Sequence, residues 1–315
     1  MQFKHCNCTA RSLWPIIYKG EVDNWDSHSK LFNTIAATTV LYSSHVWAYH
    51  YPDIVEQVQT RFLKRLFHLD NRVANYAVRL ETRSRRLQAK VAKQMINFFI
   101  RVLQMDETRI AKKAMIQLIN TCTSTSEDKY NWASTLRDVL LKGGKPELLR
   151  ATSHFQVLEH KNEILNQYNQ GLDELDLQRA LISSKHSYCT DITEETALIK
   201  LCDISLPKIR LIAQVRLNNN KFFFKKQQVT LNDDRICSIC NFETEEDMFH
   251  FLFECKIHDS SRKLLLRTFL NDLTLSRNNF KNKILLLSRD ENIKLANYVI
   301  SCILRRNLFM NLVGE

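Results

Sequence analysis

Three cysteines and a histidine stand close together in RICSICNFETEEDMFHFLFEC: Cys237, Cys240, His250 and Cys255, separated by two, nine and four residues. Two thiolates two residues apart can hold one ion from a single tight turn, and a later His and Cys can complete a tetrahedron with Zn–S bonds of about 2.3 Å. The spacing predicts one structural Zn²⁺ whose four protein ligands leave no open position for a substrate. Thr244 followed by Glu245, Glu246 and Asp247 reads as a helix start that would carry His250 and put Cys255 near the helix end. Met248, Phe249, Phe251, Leu252 and Phe253 would supply the small apolar core of such a finger. His258 competes with Cys255 as fourth ligand. Buried reduced thiols around a core histidine are another reading, and a redox Cys-x-x-Cys is a third, though it needs a βαβ context. Cys6 and Cys8 beside His5 can also hold metal. Cys122, Cys189, Cys202 and Cys302 read as core or surface thiols.

The elements that must position these residues are helices. The 315 residues include only 5 Gly and 4 Pro, where average usage gives about 22 and about 16. Tight hairpins and Gly-rich phosphate loops need those residues, which argues against β-sandwiches, propellers and nucleotide-binding α/β sheets. With 44% hydrophobic and 25% charged residues the chain can bury a core, and its length suggests roughly two domains. No apolar run reaches the ~18 residues of a membrane span. The first residues, MQFKHCNCTARSLW, lack the apolar core of a signal peptide, so an intracellular, reducing setting is expected, in the nucleus or cytoplasm. Nine cysteines, an odd count, also argue against a closed disulfide framework.

The formal charge of +11 is concentrated. Residues 57–117 carry 14 Lys/Arg against 4 Asp/Glu, while 237–259, which hold the Cys/His cluster, come to −5 between basic stretches at 205–236 (+5) and 260–315 (+6). A local positive field favours a polyanion partner. Residues 31–49 read as a mostly buried helix that Tyr51-Pro52 ends. Val55, Val58, Phe62, Leu66 and Leu69 then form an apolar stripe, with Arg61, Lys64, Arg65 and His68 away from it. A second amphipathic helix spans 85–105 on Leu87, Val91, Met95, Phe98, Val102 and Met105, and Arg83, Arg85, Arg86, Lys90 and Lys93 crowd its start. Positive charge in a first turn opposes the helix dipole, a cost that an anionic partner would relieve. The polar stretch 120–131 and Gly143-Gly144 with Pro146 mark breaks. Helical stretches alternate with polar turns over 154–200. Ser205-Leu206-Pro207 reads as a cap followed by a first-turn proline, and further helices follow at 261–270, 281–287 and 293–313.

Two stretches resemble the carboxy-terminal part of non-LTR (LINE-type) retrotransposon reverse transcriptases, downstream of the polymerase palm. VLYSSHVWAYHYPDIVEQVQTRFLKRLFHLD (40–70) is similar to a family segment with an apolar-Tyr-Gly run, a Trp, and an arginine-rich helix ending in a short apolar motif. IRLIAQVRLNNNKF, RICSIC and EEDMFHFLFECKIHDSSR resemble its closing block, in which an arginine-containing helix precedes a Cys-Cys-His-Cys zinc knuckle and an Arg follows, here Arg262. The likeness covers roughly 20–270. It departs at Ser43, where the family has Gly, and at Lys256, where it has Pro.

The resemblance implies Cys237, Cys240, His250 and Cys255 as ligands, with Arg210, Arg216 and Arg262 as basic positions near nucleic acid. It implies a mainly α protein: an extension (1–19), a thumb-like basic helical region (20–118), a helical connection (119–204), a zinc-knuckle module (205–270) and closing helices (271–315). The expected partner is RNA or DNA, with no membrane and no small-molecule substrate. The palm's aromatic-x-Asp-Asp turn is not found, since Asp233-Asp234 sits in a polar loop before the knuckle, so no polymerase activity is expected of this chain alone. The rival reading is a host-recruited zinc protein whose acidic knuckle docks on protein.

Overall fold

A chain this poor in glycine makes its left-handed turns with other residues. In the computed structural model, which describes residues 12–20, 24–122, 131–201, 203–232, 235–240, 243–266 and 275–313, Ser43, His68, Arg83, Asn218, Lys225 and Glu243 all have φ between 49° and 54°. Each carries the steric cost that glycine avoids. His5, Cys6, Cys8, Cys202 and Asp233-Asp234 lie outside the described residues, as does 123–130 of the expected polar break.

The fold is mainly α. Its helices include α1 (Trp25–Leu31), α2 (Ser44–Trp47), α3 (Pro52–Leu66), α4 (Asn75–Thr82), α5 (Leu87–Leu103), α6 (Ile110–Asn120), α7 (Trp132–Lys142), α8 (His154–Leu181), α9 (Leu206–Arg216), α10 (Asp259–Leu265), α11 (Phe280–Leu285) and α12 (Arg289–Val313). The strands β1 (Lys221–Phe224) and β2 (Gln227–Thr230) pair antiparallel, Lys221 opposite Thr230. The mainly α fold is the one the glycine count pointed to, and the hairpin is an addition that the sequence reading did not include. Its turn is made by Lys225 at φ 54°, so a lysine does the work that hairpin turns usually assign to Gly or Asn.

The chain forms two units, each built from non-contiguous stretches. The first takes in 31–59 and 85–176, the second 17–30, 60–84 and 177–315. In the first, the helix expected over 31–49 is broken by a π turn at Phe32–Ala37 and by Ser43. The Thr38 and Thr39 hydroxyls bond back to the carbonyls of Thr34 (2.6 Å) and Ile35 (2.9 Å), a competition with the helix ladder that bends it. The α5 stripe is buried as expected at Leu87, Val91, Met95 and Val102, with Ile96 and Phe99 fully buried beside a half-buried Phe98.

The charge at the α5 start is answered from within this unit. A Glu56 carboxylate oxygen accepts from Gln88 N at 2.9 Å, and Asp176 forms an ion pair with Arg86. The anion that relieves the dipole is therefore the protein's own. The alternating pattern expected over 154–200 resolves into one helix of 28 residues followed by 3₁₀ turns at Ser187–Asp191 and Leu198–Leu201. Helix α7 ends at Gly143-Gly144, as expected. A Cβ on Gly143 would come within 2.3 Å of the Ile164 side chain, so α8 packs where only hydrogen fits.

The second unit is centred on Phe222, Val229, Phe251, Leu252, Phe280, Tyr298 and Cys302, drawn from the hairpin, the Cys/His segment, α11 and α12. The Met248, Phe249, Phe251 and Leu252 side chains are thus part of a larger core and not a self-contained finger.

Gly171 lies in the α8 interior with nothing within 4 Å of the place a Cβ would take. Gly171→Ala removes backbone freedom from the unfolded chain and loses no contact, so it should stabilise the protein by about 0.5–1 kcal/mol. Thermal unfolding should show a Tm rise of about 1–3 °C. A lower Tm would contradict the helical assignment at this point.

Candidate metal centre and basic surfaces

Local backbone pairing brings the two halves of the Cys/His motif together. Ile236 and Glu245 form an antiparallel bridge, with Cys237 N donating to Thr244 O and Glu246 N to Arg235 O, both at 2.9 Å. The expected helix start at Thr244 is displaced by three residues. Asp247 is the cap, its Oδ1 accepting from His250 N at 2.7 Å. From His250 to Glu254 the helix widens into a π turn, and Cys255 N donates to His250 O at 2.8 Å. That five-residue closure brings Cys255 back beside His250, which the 3.6-residue turn of an α-helix would not do.

The ligand atoms of Cys237, Cys240, His250 and Cys255 all lie within 4.8 Å of one another. A tetrahedral ion with bonds of about 2.3 Å would hold thiolates about 3.8 Å apart, so roughly 1 Å of contraction closes the set. Oxygens of Thr244 (2.9 Å) and Glu254 (3.4 Å) face His250 Nδ1. They assign the proton to Nδ1 and turn the Nε2 lone pair inward, 3.3 Å from Cys240 Sγ. This is the outer support that metal-binding imidazoles use. Burial pushes the Cys255 thiol up to about 12, and the neighbouring Cys237 and Cys240 thiols add to it. Left alone, this thiol stays protonated, whereas a bound dication reverses the preference. Among the described residues no other group of three or more His, Cys, Asp or Glu donors converges in this way.

The rival fourth ligand lies elsewhere. His258 is buried edge-on against the Phe251 ring, 5.1 Å between centroids, and is not among the converging donors. The remaining described cysteines fit their reading as thiols. Burial pushes Cys189 and Cys302 up to about 12, and Cys122 is half-buried beside Ser134 Oγ at 3.1 Å.

Arg262 is a brace for this segment. Buried, it donates to the carbonyls of Leu252 (3.1 Å) and Cys255 (2.6 Å) and pairs with Asp259 (2.7 Å), while Tyr298 OH donates to Leu252 O at 2.6 Å. The acidic residues around the motif are also engaged. Glu246 pairs with Arg306 at 2.5 Å, and Arg277 bridges Asp247 and Glu254. The −5 of the Cys/His segment is thus largely met by the basic residues that follow it. Thr244, Asp247, Arg277 and Arg306 were not legible as site residues, because their roles depend on contacts made only after folding.

The expected nucleic-acid residues divide. Arg61, Arg65, Arg83, Arg85, Lys90 and Lys93 are exposed. Lys64 is buried, donates to Asn71 O at 2.9 Å and has its pKa lowered, chiefly by that burial. Arg86 is held by Asp176. Arg216 is 2% exposed and makes a bidentate pair with the fully buried Glu81, at 3.0 and 2.8 Å. Arg210 is half-buried, with Nε donating to Leu66 O at 2.7 Å. Lys64, Arg86, Arg216 and Arg262 therefore spend their charge inside the protein, and an outward role is left to the six exposed cations and Arg210.

Fold and site together define a mainly α-helical protein with a Cys3His cluster that can hold a metal ion. Compared with known proteins, the chain matches no family model, no curated protein and no solved structure. No helix among the described residues is long and apolar enough to cross a membrane.

Elemental analysis should find one metal ion per chain, lost in both Cys240→Ser and Cys255→Ser and kept in His258→Ala. Full metal content in both cysteine variants would show the ligands to be wrong. Arg262→Ala removes the bonds to Leu252 O, Cys255 O and Asp259 but leaves those carbonyls their bonds from Tyr298 OH and His258 N, and should cost about 1–3 kcal/mol in urea unfolding.

Burial, aided by Arg210 and Lys281 respectively, pushes His68 and His186 down to about 4. An unfolded imidazole titrates near 6.5, so between about 6.5 and 4 the unfolded chain binds more protons and stability is lost as pH falls, by about 1.4 kcal/mol per pH unit for each histidine. Urea midpoints taken from pH 7 to 5 should fall less steeply in His186→Gln than in the parent. An equal slope would contradict this account of His186.

Proposed function

We propose that this chain is a nucleic-acid-binding protein stabilised by one structural Zn²⁺, corresponding to the carboxy-terminal part of a LINE-type reverse transcriptase. Three thiolates and one imidazole in a closed set are the donors that Zn²⁺ prefers. The observation that carries the reading is the convergence of Cys237, Cys240, His250 and Cys255 with Arg262 bracing the carbonyls of Leu252 and Cys255, the residues on which the resemblance at the closing block rests. A further support is Ser43 at φ 51°. It stands where the resembled family has glycine, and glycine is the residue that adopts this backbone without strain. In this role the chain grips template RNA or target DNA and supplies no chemistry of its own. The protein-docking alternative has less to stand on, because Glu246, Asp247, Glu254 and Asp259 are already paired with arginines.

The exposed cations set the size of the effect. If Arg85, Lys90 and Lys93 of the first unit each neutralise a phosphate, the logarithmic salt slope for duplex DNA is about −3, and affinity falls about fortyfold from 50 to 200 mM salt. Reversing Arg85, Lys90 and Lys93 to Glu, and sparing Arg86 because of Asp176, should weaken binding to all sequences alike, since phosphate contacts do not read bases. Fluorescence anisotropy of labelled duplex measures both. A flat salt response, or unchanged affinity in a folded charge-reversed variant, would overturn the proposal.

A further inference from the structure

A groove of about 480 Å³ opens in the second unit beside the β1–β2 hairpin. It is lined by Lys208 and Arg210 from the first turn and a half of α9, by Phe223, Phe224 and Lys225 from the end of the hairpin, and by His68. The lining brings together three cations and three rings with no carboxylate.

Each group is set for a task. The Arg210 guanidinium is anchored by its Nε bond to Leu66 O. Lys225 sits at the hairpin turn with its ammonium 5.5 Å from the Phe224 ring centre. His68 meets Phe223 edge to face, 6.0 Å between centroids, and burial keeps its imidazole neutral, so it offers a flat ring and not a fourth charge. Phe223 and Phe224 are both half-buried, Phe224 packing in part against the core of the unit, so each keeps only part of its ring surface open to the groove. The positive end of the α9 dipole adds to the attraction for anions.

Rings and cations interleaved along one groove suit a ligand that alternates flat faces with negative charge. A single-stranded nucleic acid does so, with bases to stack and phosphates to pair. A duplex hides its base faces, and an acidic peptide brings charge without rings. We propose that this groove binds single-stranded nucleic acid, stacking bases on Phe223, Phe224 and His68 while Lys208, Arg210 and Lys225 hold the phosphates. This rests on the nucleic-acid reading above and names the place and the form of strand within it.

The test uses the full chain and fluorescence anisotropy with a 12-nucleotide oligo-dT, an oligo-rU, an abasic strand of the same length, a duplex and a poly-glutamate peptide. Phe223→Ala and Phe224→Ala should each weaken oligo-dT or oligo-rU binding about tenfold and leave duplex binding unchanged, while Phe224→Tyr keeps affinity. The abasic strand should bind the parent at least tenfold more weakly than oligo-dT, a comparison that needs no variant to fold. Lys208→Ala combined with Lys225→Ala should weaken every single strand, the abasic one included. Whichever of oligo-dT and oligo-rU binds more tightly identifies DNA or RNA as the preferred strand, and either supports the groove. Equal binding of abasic and oligo-dT strands, or phenylalanine variants that keep their metal and bind as the parent does, would overturn the groove while salt-dependent duplex binding left the broader reading standing. Loss of binding to every nucleic acid would overturn both. Poly-glutamate binding lost in the double lysine variant, without strand binding, would reassign the groove to an acidic protein segment.

Discussion

A thiol buried beside two others resists the very state in which it binds a cation. Burial pushes the Cys255 thiol up to about 12, so it is a poor acid until a dication arrives and a strong ligand once one has. The second unit is arranged around that constraint. The π turn at His250–Glu254 brings Cys255 back beside His250, Thr244 and Glu254 fix the imidazole proton away from the cluster, and Arg262 holds the carbonyls on either side of the turn. The same turn delivers Phe251 and Leu252 to the core shared with the hairpin and α12. Metal site and hydrophobic core are thus two faces of one short segment.

Charge in this protein has two uses that composition does not separate. Part of the cationic excess works inside. Arg216 on Glu81, Arg86 on Asp176 and Arg306 on Glu246 pair elements distant in sequence, and breaking one side of a buried pair of this kind is usually far more costly than the pair is worth. The rest stays outside, on Arg61, Arg65, Arg83, Arg85, Lys90 and Lys93, where its energetic contribution to folding is small.

Much of this was legible in the sequence, and the exceptions have a common cause. The helices at 52–66, 87–103 and 289–313 follow from their apolar periodicity, and the α7 end follows from Gly143-Gly144. The four ligands were legible because Cys-x-x-Cys followed by His and Cys is a local pattern. The fate of each arginine was not, since Arg216 and Arg262 look the same as Arg61 until a distant carboxylate or carbonyl is placed beside them. Glycine counting pointed to a mainly α chain but gave no sign of the hairpin, for a related reason: Lys225 tolerates a left-handed turn because the ladder from Lys221 to Thr230 over-determines it. The groove beside Phe223 and Phe224 was invisible for the same reason, as it unites residues from His68 to Lys225.

The most direct test of this account is X-ray absorption at the metal edge of the purified full chain. A closed site made of Cys237, Cys240, His250 and Cys255 predicts a first shell of three sulfurs at about 2.3 Å and one nitrogen at about 2.0–2.1 Å. A shell of oxygen and nitrogen alone, or one with fewer than three sulfurs, would contradict it.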